Sequence, residues 1–110
     1  NKLKNSTFSF KYKNIKSLKN IINKKKIGII IMEVMRSEKP KNNFLKEVKK
    51  VCQKKNIILI FDECTSGFRE TYGGLHKKYK VNPDIATFGK ALGNGYSITT
   101  VIGKRKIMEN

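Results

Sequence analysis

Arginine is scarce in this chain. Of its 25 basic residues only Arg36, Arg69 and Arg105 are arginine, leaving 22 lysines against 8 acidic residues and a formal charge of +17. Such a charge by itself points to nucleic acid or an anionic membrane surface, because clustered basic groups neutralise phosphates. Arginine, however, is the residue that makes bidentate contacts to phosphate and base edges, so its scarcity argues against a nucleic-acid partner. Lysine, asparagine and isoleucine are abundant together, the bias expected of an AT-rich coding sequence, with lysine filling solvated positions. No RNA-recognition, helix-turn-helix or zinc-finger pattern occurs. Cysteine is equally sparse: Cys52 lies in a helical pattern and Cys64 beside a carboxylate pair. Two such thiols make neither a disulfide framework nor a metal-ligand spacing, so no metal and a reducing cytoplasm are expected. No apolar run reaches the roughly 20 residues needed to cross a bilayer, and no basic start precedes an apolar signal core, so no membrane partner is expected. Internal repeats and linkers are missing too. The chain starts at Asn1 without an initiator Met and ends at Asn110 just after a basic, helix-like start, and it reads as a piece of something longer. At 110 residues it is expected to form one domain at most, or part of one.

What remains is a pattern of alternating elements. Phe8, Phe10 and Tyr12 alternate with polar residues, the period of a half-buried strand or extended segment. Ile15, Leu18, Ile21 and Ile22 fall on one helical stripe with Asn14 as N-cap. Residues 27–32 are continuously apolar, as in a strand buried on both faces of a parallel sheet, and Glu33 ends the run. A loop is predicted over 33–43, then a helix carrying Phe44, Leu45, Val48, Val51 and Cys52 through Lys55. Residues 57–61 predict a second buried strand, and strand, helix and strand in succession make a right-handed parallel crossover. A helical turn is predicted over 75–79, a third strand over 84–88 and a fourth over 97–102.

Chemistry gathers at two of these strand ends. Ligands of open α/β sheets bind at the carboxyl ends of the strands, where loops present polar groups from a rigid platform. Asp62 follows five apolar residues at such an end, and a carboxylate there calls for a cationic partner. A protonated pyridine nitrogen would serve, and the carboxylate would keep that ring cationic and able to absorb electrons. An Asp capping a loop or turn is the alternative. Lys90 stands alone among small and apolar neighbours in Phe88-Gly-Lys-Ala-Leu-Gly-Asn-Gly, unlike the other lysine runs. An imine-forming amine must lose its proton, which desolvation favours, and Gly89, Gly93 and Gly95 would let backbone approach a bulky ligand. A surface lysine beside a flexible turn is the alternative reading. A phosphate-binding P-loop is excluded by the lack of Ser or Thr after the lysine.

Taken together these segments carry more. Leu59-Ile-Phe-Asp-Glu-Cys-Thr-Ser-Gly-Phe-Arg, Tyr72-Gly-Gly, and Val81-Asn-Pro-Asp-Ile-Ala-Thr-Phe-Gly-Lys-Ala-Leu-Gly-Asn-Gly-Tyr closely resemble the core of the class III pyridoxal-phosphate-dependent aminotransferases. Within them the chain looks most like the glutamate-1-semialdehyde aminomutase-related group. The match runs from Ile57 to Gly103, with weaker resemblance back to about Phe8. It implies an α/β fold, part of the large domain of a fold-type I pyridoxal-phosphate enzyme, with a mostly parallel sheet flanked by helices. It implies pyridoxal 5'-phosphate as cofactor, Lys90 as Schiff-base lysine and proton shuttle, and Asp62 as partner of the pyridine nitrogen. Cys64 falls where the family usually has a Val packed on the ring face, and Thr65 where some members contact the phenolic oxygen. Ser66 replaces the family's common Thr, and Val34 follows Glu33 where many members carry Pro.

The resemblance also implies a small-molecule amino donor, a keto or aldehyde acceptor, and a homodimer for the full-length protein. The phosphate-binding segment and the C-terminal small domain of the family are absent from these 110 residues, so activity of the piece alone is not expected. Other residues read plainly. His76 is expected to be solvated or hydrogen-bonded rather than a catalytic base, Arg69 to pair with a carboxylate such as Glu63, and Tyr72 and Tyr79 to pack. Two other readings stay open: an inactive remnant of an aminotransferase, and a basic non-catalytic binding module.

Overall fold

The structure is a computed structural model that describes residues 6–35, 37–41 and 43–109. Helix α1 (Ile15–Lys24) starts where the Asn14 side chain accepts a hydrogen bond from the Ser17 amide at 3.0 Å, which satisfies one of the orphan donors of the first turn. Strand β1 (Ile29–Glu33) follows, then α2 (Phe44–Lys55), β2 (Ile58–Asp62), β3 (Ile85–Phe88), β4 (Thr100–Gly103) and a short α3 (Arg105–Met108). Helix α2 ends at Asn56, which takes a left-handed conformation that Asn tolerates, and the chain turns directly into β2.

The four strands pair in chain order. β1 to β2 and β2 to β3 are parallel, and β3 to β4 is antiparallel. The fold is therefore α/β with a mostly parallel sheet, as expected. Buried side chains from α1 (Leu18), α2 (Phe44, Leu45, Val48, Cys52) and one face of the strands (Leu59, Phe61) form a single core. Burying each large apolar side chain contributes on the order of 1.5–3 kcal/mol.

The strands differ from the expectation in two respects. The run 27–32 predicted burial on both faces, yet Ile29 and Ile31 are 57% and 61% exposed. Side chains alternate across a strand, and the helices cover only the Ile30 and Met32 side. No described element packs on the other face. The first segment departs as well: Phe8 to Tyr12 pairs with no strand, although Phe10 and Tyr12 pack against the core and the Tyr12 hydroxyl donates to the Val34 carbonyl at 2.5 Å. β4 begins at Thr100 rather than Ser97, because the chain is still turning after Gly93, with the Ile98 amide donating to the Tyr96 carbonyl.

Candidate functional site

Register aligns the carboxyl end of β2 with its neighbours: Glu33 pairs with Asp62, and Asp62 with Thr87. Paired residues share a sheet face, so Glu33, Asp62 and Thr87 form a polar row that closes the uncovered, isoleucine-rich face. Asp62 is half-buried. Its Oδ1 accepts from the Cys64 amide at 3.0 Å and from the Thr87 hydroxyl at 3.3 Å, whereas Oδ2 accepts no hydrogen bond from the described residues. One carboxylate oxygen is thus braced and the other is open to a donor.

Lys90 lies three positions beyond Thr87, just past the end of β3, so it shares the same end of the sheet. Its Nζ donates to the Thr65 hydroxyl at 2.7 Å. Its φ of +47° is a left-handed conformation rare for a side-chain-bearing residue and held only where surroundings enforce it. Gly93 helps to enforce it: a Cβ there would lie 2.2 Å from the Tyr96 carbonyl oxygen, so the turn after Lys90 closes only with glycine. Cys64 is a half-buried free thiol with Sγ 3.9 Å from the Thr87 hydroxyl. The four residues thus form two contacts, Asp62 with Cys64 and Lys90 with Thr65, which Thr87 and the 62–65 backbone join. No hydrogen bond runs directly between Asp62 and Lys90.

Sequence reasoning missed two supports. Thr87 braces Asp62, a role that its place one residue before the strand end only hints at. Glu63 is fully buried, and its carboxylate accepts four hydrogen bonds: from the Ser66 hydroxyl, the Leu75 amide, the His76 amide and His76 Nδ1. Burial alone would raise the Glu63 carboxyl, but the bonds from His76, Ser66 and the Leu75 amide outweigh it and hold the group below the ordinary glutamate value.

Glu63 therefore has its partner in His76, which corrects the pairing expected with Arg69. Arg69 Nε instead donates to the Thr65 carbonyl at 2.6 Å, because the 64–69 turn bends the arginine back over its own backbone. His76 is hydrogen-bonded and buried rather than solvated. Tyr79 packs against the core as expected. Tyr72 does not: it is 93% exposed, with only a ring-edge contact to Phe68. Among the described residues no helix is long and apolar enough to cross a membrane, and no group of His, Cys, Asp and Glu could hold a metal ion.

Comparison with known proteins follows the same lines. A family profile described as aminotransferase class III matches residues 1–110. The chain is 38% identical over 109 residues to glutamate-1-semialdehyde 2,1-aminomutase of Nitrosopumilus maritimus, covering 94% of this chain and 26% of that protein. It is 38% identical over 116 residues to 3-aminobutyryl-CoA aminotransferase of Cloacimonas acidaminovorans, covering 98% and 28%. The FumI protein of Sphingopyxis sp. MTA144, solved in its PLP internal aldimine form, superposes with a TM-score of 0.86 at 22% identity over 93% of this chain and 27% of that one. That likeness shows a fold-type I architecture. The chain spans about a quarter of the length of the curated relatives it matches. A profile matched from end to end, over residues that bring Asp62 and Lys90 to one end of a mostly parallel sheet, means that this chain belongs to the class III aminotransferases.

Proposed function

We propose that this chain is the part of a pyridoxal-phosphate-dependent aminotransferase or aminomutase in which Lys90 carries the cofactor and Asp62 holds its ring nitrogen. The observation that supports the reading most is the shared sheet end: a braced Asp62, one of whose carboxylate oxygens accepts nothing from the described residues, stands beside Thr87, and Lys90 follows just past the end of that adjoining strand. These residues fit the group. A ring N–H needs an acceptor at a fixed position, which Asp62 Oδ2 offers, and a cofactor carbonyl needs an amine that backbone strain holds in place, which Lys90 offers. Pyridoxal phosphate, when bound, supplies an electron sink for the pair released at the substrate's amino-bearing carbon.

The chain's own residues do the rest. With the cofactor bound, the Asp62 carboxylate would hold the ring nitrogen in its charged form, and Lys90 Nζ would move the proton at the substrate's amino-bearing carbon. Thr65 holds the Lys90 amine through its hydroxyl, and Cys64 would lie against the ring face. The parent transfers an amino group from a small-molecule donor to a keto or aldehyde acceptor, or shifts it within one molecule. In this reading stretches outside these 110 residues supply the phosphate-binding segment and the C-terminal small domain, and the full-length protein is a homodimer. Free thiols at Cys52 and Cys64 suit a reducing cytoplasm.

The test uses the full-length parent. Borohydride should trap a stable cofactor adduct on Lys90, and Lys90→Ala should abolish both adduct and turnover. An adduct trapped on another lysine in a Lys90→Ala parent that still turns over would show the assignment to be wrong.

A further inference from the structure

We infer that Glu63 and His76 form a buried positioning pair that sets the direction of Asp62 and Thr65, and so controls the cofactor's electronic state from behind the site. This rests on the reading of Asp62 and Lys90 given above.

The pair is built more firmly than loop closure requires. Glu63 is 0% and His76 7% exposed, and His76 Nδ1 lies 2.6 Å from Glu63 Oε1. Oε1 also accepts from the His76 amide at 2.9 Å, while Oε2 accepts from the Leu75 amide at 2.8 Å and the Ser66 hydroxyl at 2.7 Å. Two amides and a hydroxyl donate to the carboxylate, and because an ionised carboxylate only accepts, Nδ1 is the His76 ring nitrogen that carries a proton and makes the fourth bond. Glu63 is tied through its backbone as well. Its amide donates to the Thr87 carbonyl at 2.9 Å and its carbonyl accepts from the Gly67 amide at 2.8 Å.

Glu63 sits between the residues that face the cofactor. Asp62 precedes it, and Cys64 and Thr65 follow. The Cys64 amide bonds Asp62 Oδ1, and the Thr65 hydroxyl bonds Lys90 Nζ, so a rotation of the Glu63 peptide would swing both contacts in one motion. The far anchor is the turn at 74–77. Gly74 is required there, because a Cβ would lie 2.3 Å from His76 Cε1 and 2.9 Å from Glu63 Oε1. Among the described residues the hydrogen bonds of the Glu63 and His76 side chains go to Ser66, Leu75 and each other, and none to Asp62, Thr65 or Lys90. Their effect is carried by the backbone of the 63–65 turn.

The experiment compares His76→Asn, which keeps an amide N–H at the position of Nδ1, with His76→Leu, which removes it, in the full-length, cofactor-loaded parent. Gly74→Ala crowds both the His76 ring and Glu63 Oε1 while leaving the two residues chemically unchanged. His76→Leu and Gly74→Ala should move the pH midpoint of the visible cofactor–lysine absorption by about one unit. They should lower kcat about tenfold or more at unchanged KM. Amide hydrogen exchange at Cys64, which needs no cofactor, should speed up about tenfold. His76→Asn should keep all three near the native values. A native spectrum, kcat and Cys64 exchange in His76→Leu, with only a lower melting temperature, would overturn the inference. Equal shifts in His76→Asn and His76→Leu would overturn it too, since the hydrogen bond would not be the cause. If His76→Leu does not fold, Gly74→Ala and His76→Asn carry the same contrast. Failure of the underlying reading looks different, because the unaltered parent would then carry no trappable adduct on Lys90.

Discussion

Lys90 and Thr65, 25 residues apart in the chain, meet at 2.7 Å between Nζ and Oγ1. The contact joins the turn after β2 to the turn after β3, and it restrains a lysine whose backbone is already held at φ +47°. Thr65→Val in the parent should leave the borohydride-trapped adduct on Lys90 intact while slowing single-turnover proton transfer about tenfold, the effect of one lost hydrogen bond to a charged group. An unchanged single-turnover rate would sink this role for Thr65.

Asp62→Asn should separate binding from chemistry. Asn keeps an oxygen that can accept from the Cys64 amide and the Thr87 hydroxyl, so the adduct should still form. If Asp62 holds the ring nitrogen as proposed, loss of its charge should lower turnover by about tenfold for each pKa unit lost. Stopped-flow absorbance against adduct yield measures both, and full turnover in the variant would remove Asp62 from the site.

Acid should loosen the sheet through two carboxylates. Asp84 accepts from Lys104 Nζ at 2.6 Å, Lys49 Nζ at 2.9 Å and the Leu59 amide at 2.9 Å. Burial alone would raise its carboxyl, but these donors hold it at about 2, against an ordinary value of 3.8. A folded pKa below the unfolded one means stability that is present above the unfolded value and is lost as pH falls through the folded one. The Asp84 contribution, on the order of 2 kcal/mol, should therefore fade between pH 3.8 and about 2. Glu63 adds to it with the same sign. Urea midpoints of the parent and of Asp84→Asn should converge as pH drops through that window; a constant gap would refute the linkage.

Two glycines should respond unequally to alanine. Gly93→Ala places a Cβ 2.2 Å from the Tyr96 carbonyl oxygen, a backbone atom that cannot yield cheaply, and should cost about 1–3 kcal/mol. Gly28→Ala meets nothing within 4 Å and should change stability by less than about 0.5 kcal/mol. Thermal unfolding of both variants decides it, and a neutral Gly93→Ala would contradict the turn geometry.

The 110-residue chain, expressed by itself, should self-associate. Ile29 and Ile31 stand 57% and 61% exposed on a sheet face that no described element covers, and such patches drive association. Sedimentation velocity should show oligomers that Ile29→Lys with Ile31→Lys reduces to monomer. A cooperative monomer without those substitutions would show that these residues suffice as a domain.

Much was legible in the sequence by itself. The period of Ile15, Leu18 and Ile22, the capping Asn14 and the two isoleucine-rich runs determined the helices and strands, because local spacing and capping are properties of neighbouring residues. The Asp62 to Lys90 segment determined the family, because the residue types a cofactor needs recur at positions along one chain. What only the tertiary structure decided is which groups meet. Glu63 bonds His76 rather than Arg69, Thr87 braces Asp62, and the isoleucine runs are buried on one face instead of two. Each depends on how turns from different strands are brought against one another, and on whether another layer lies across the sheet. No local period encodes either, since a donor meets its acceptor only after the core has set the distance between them.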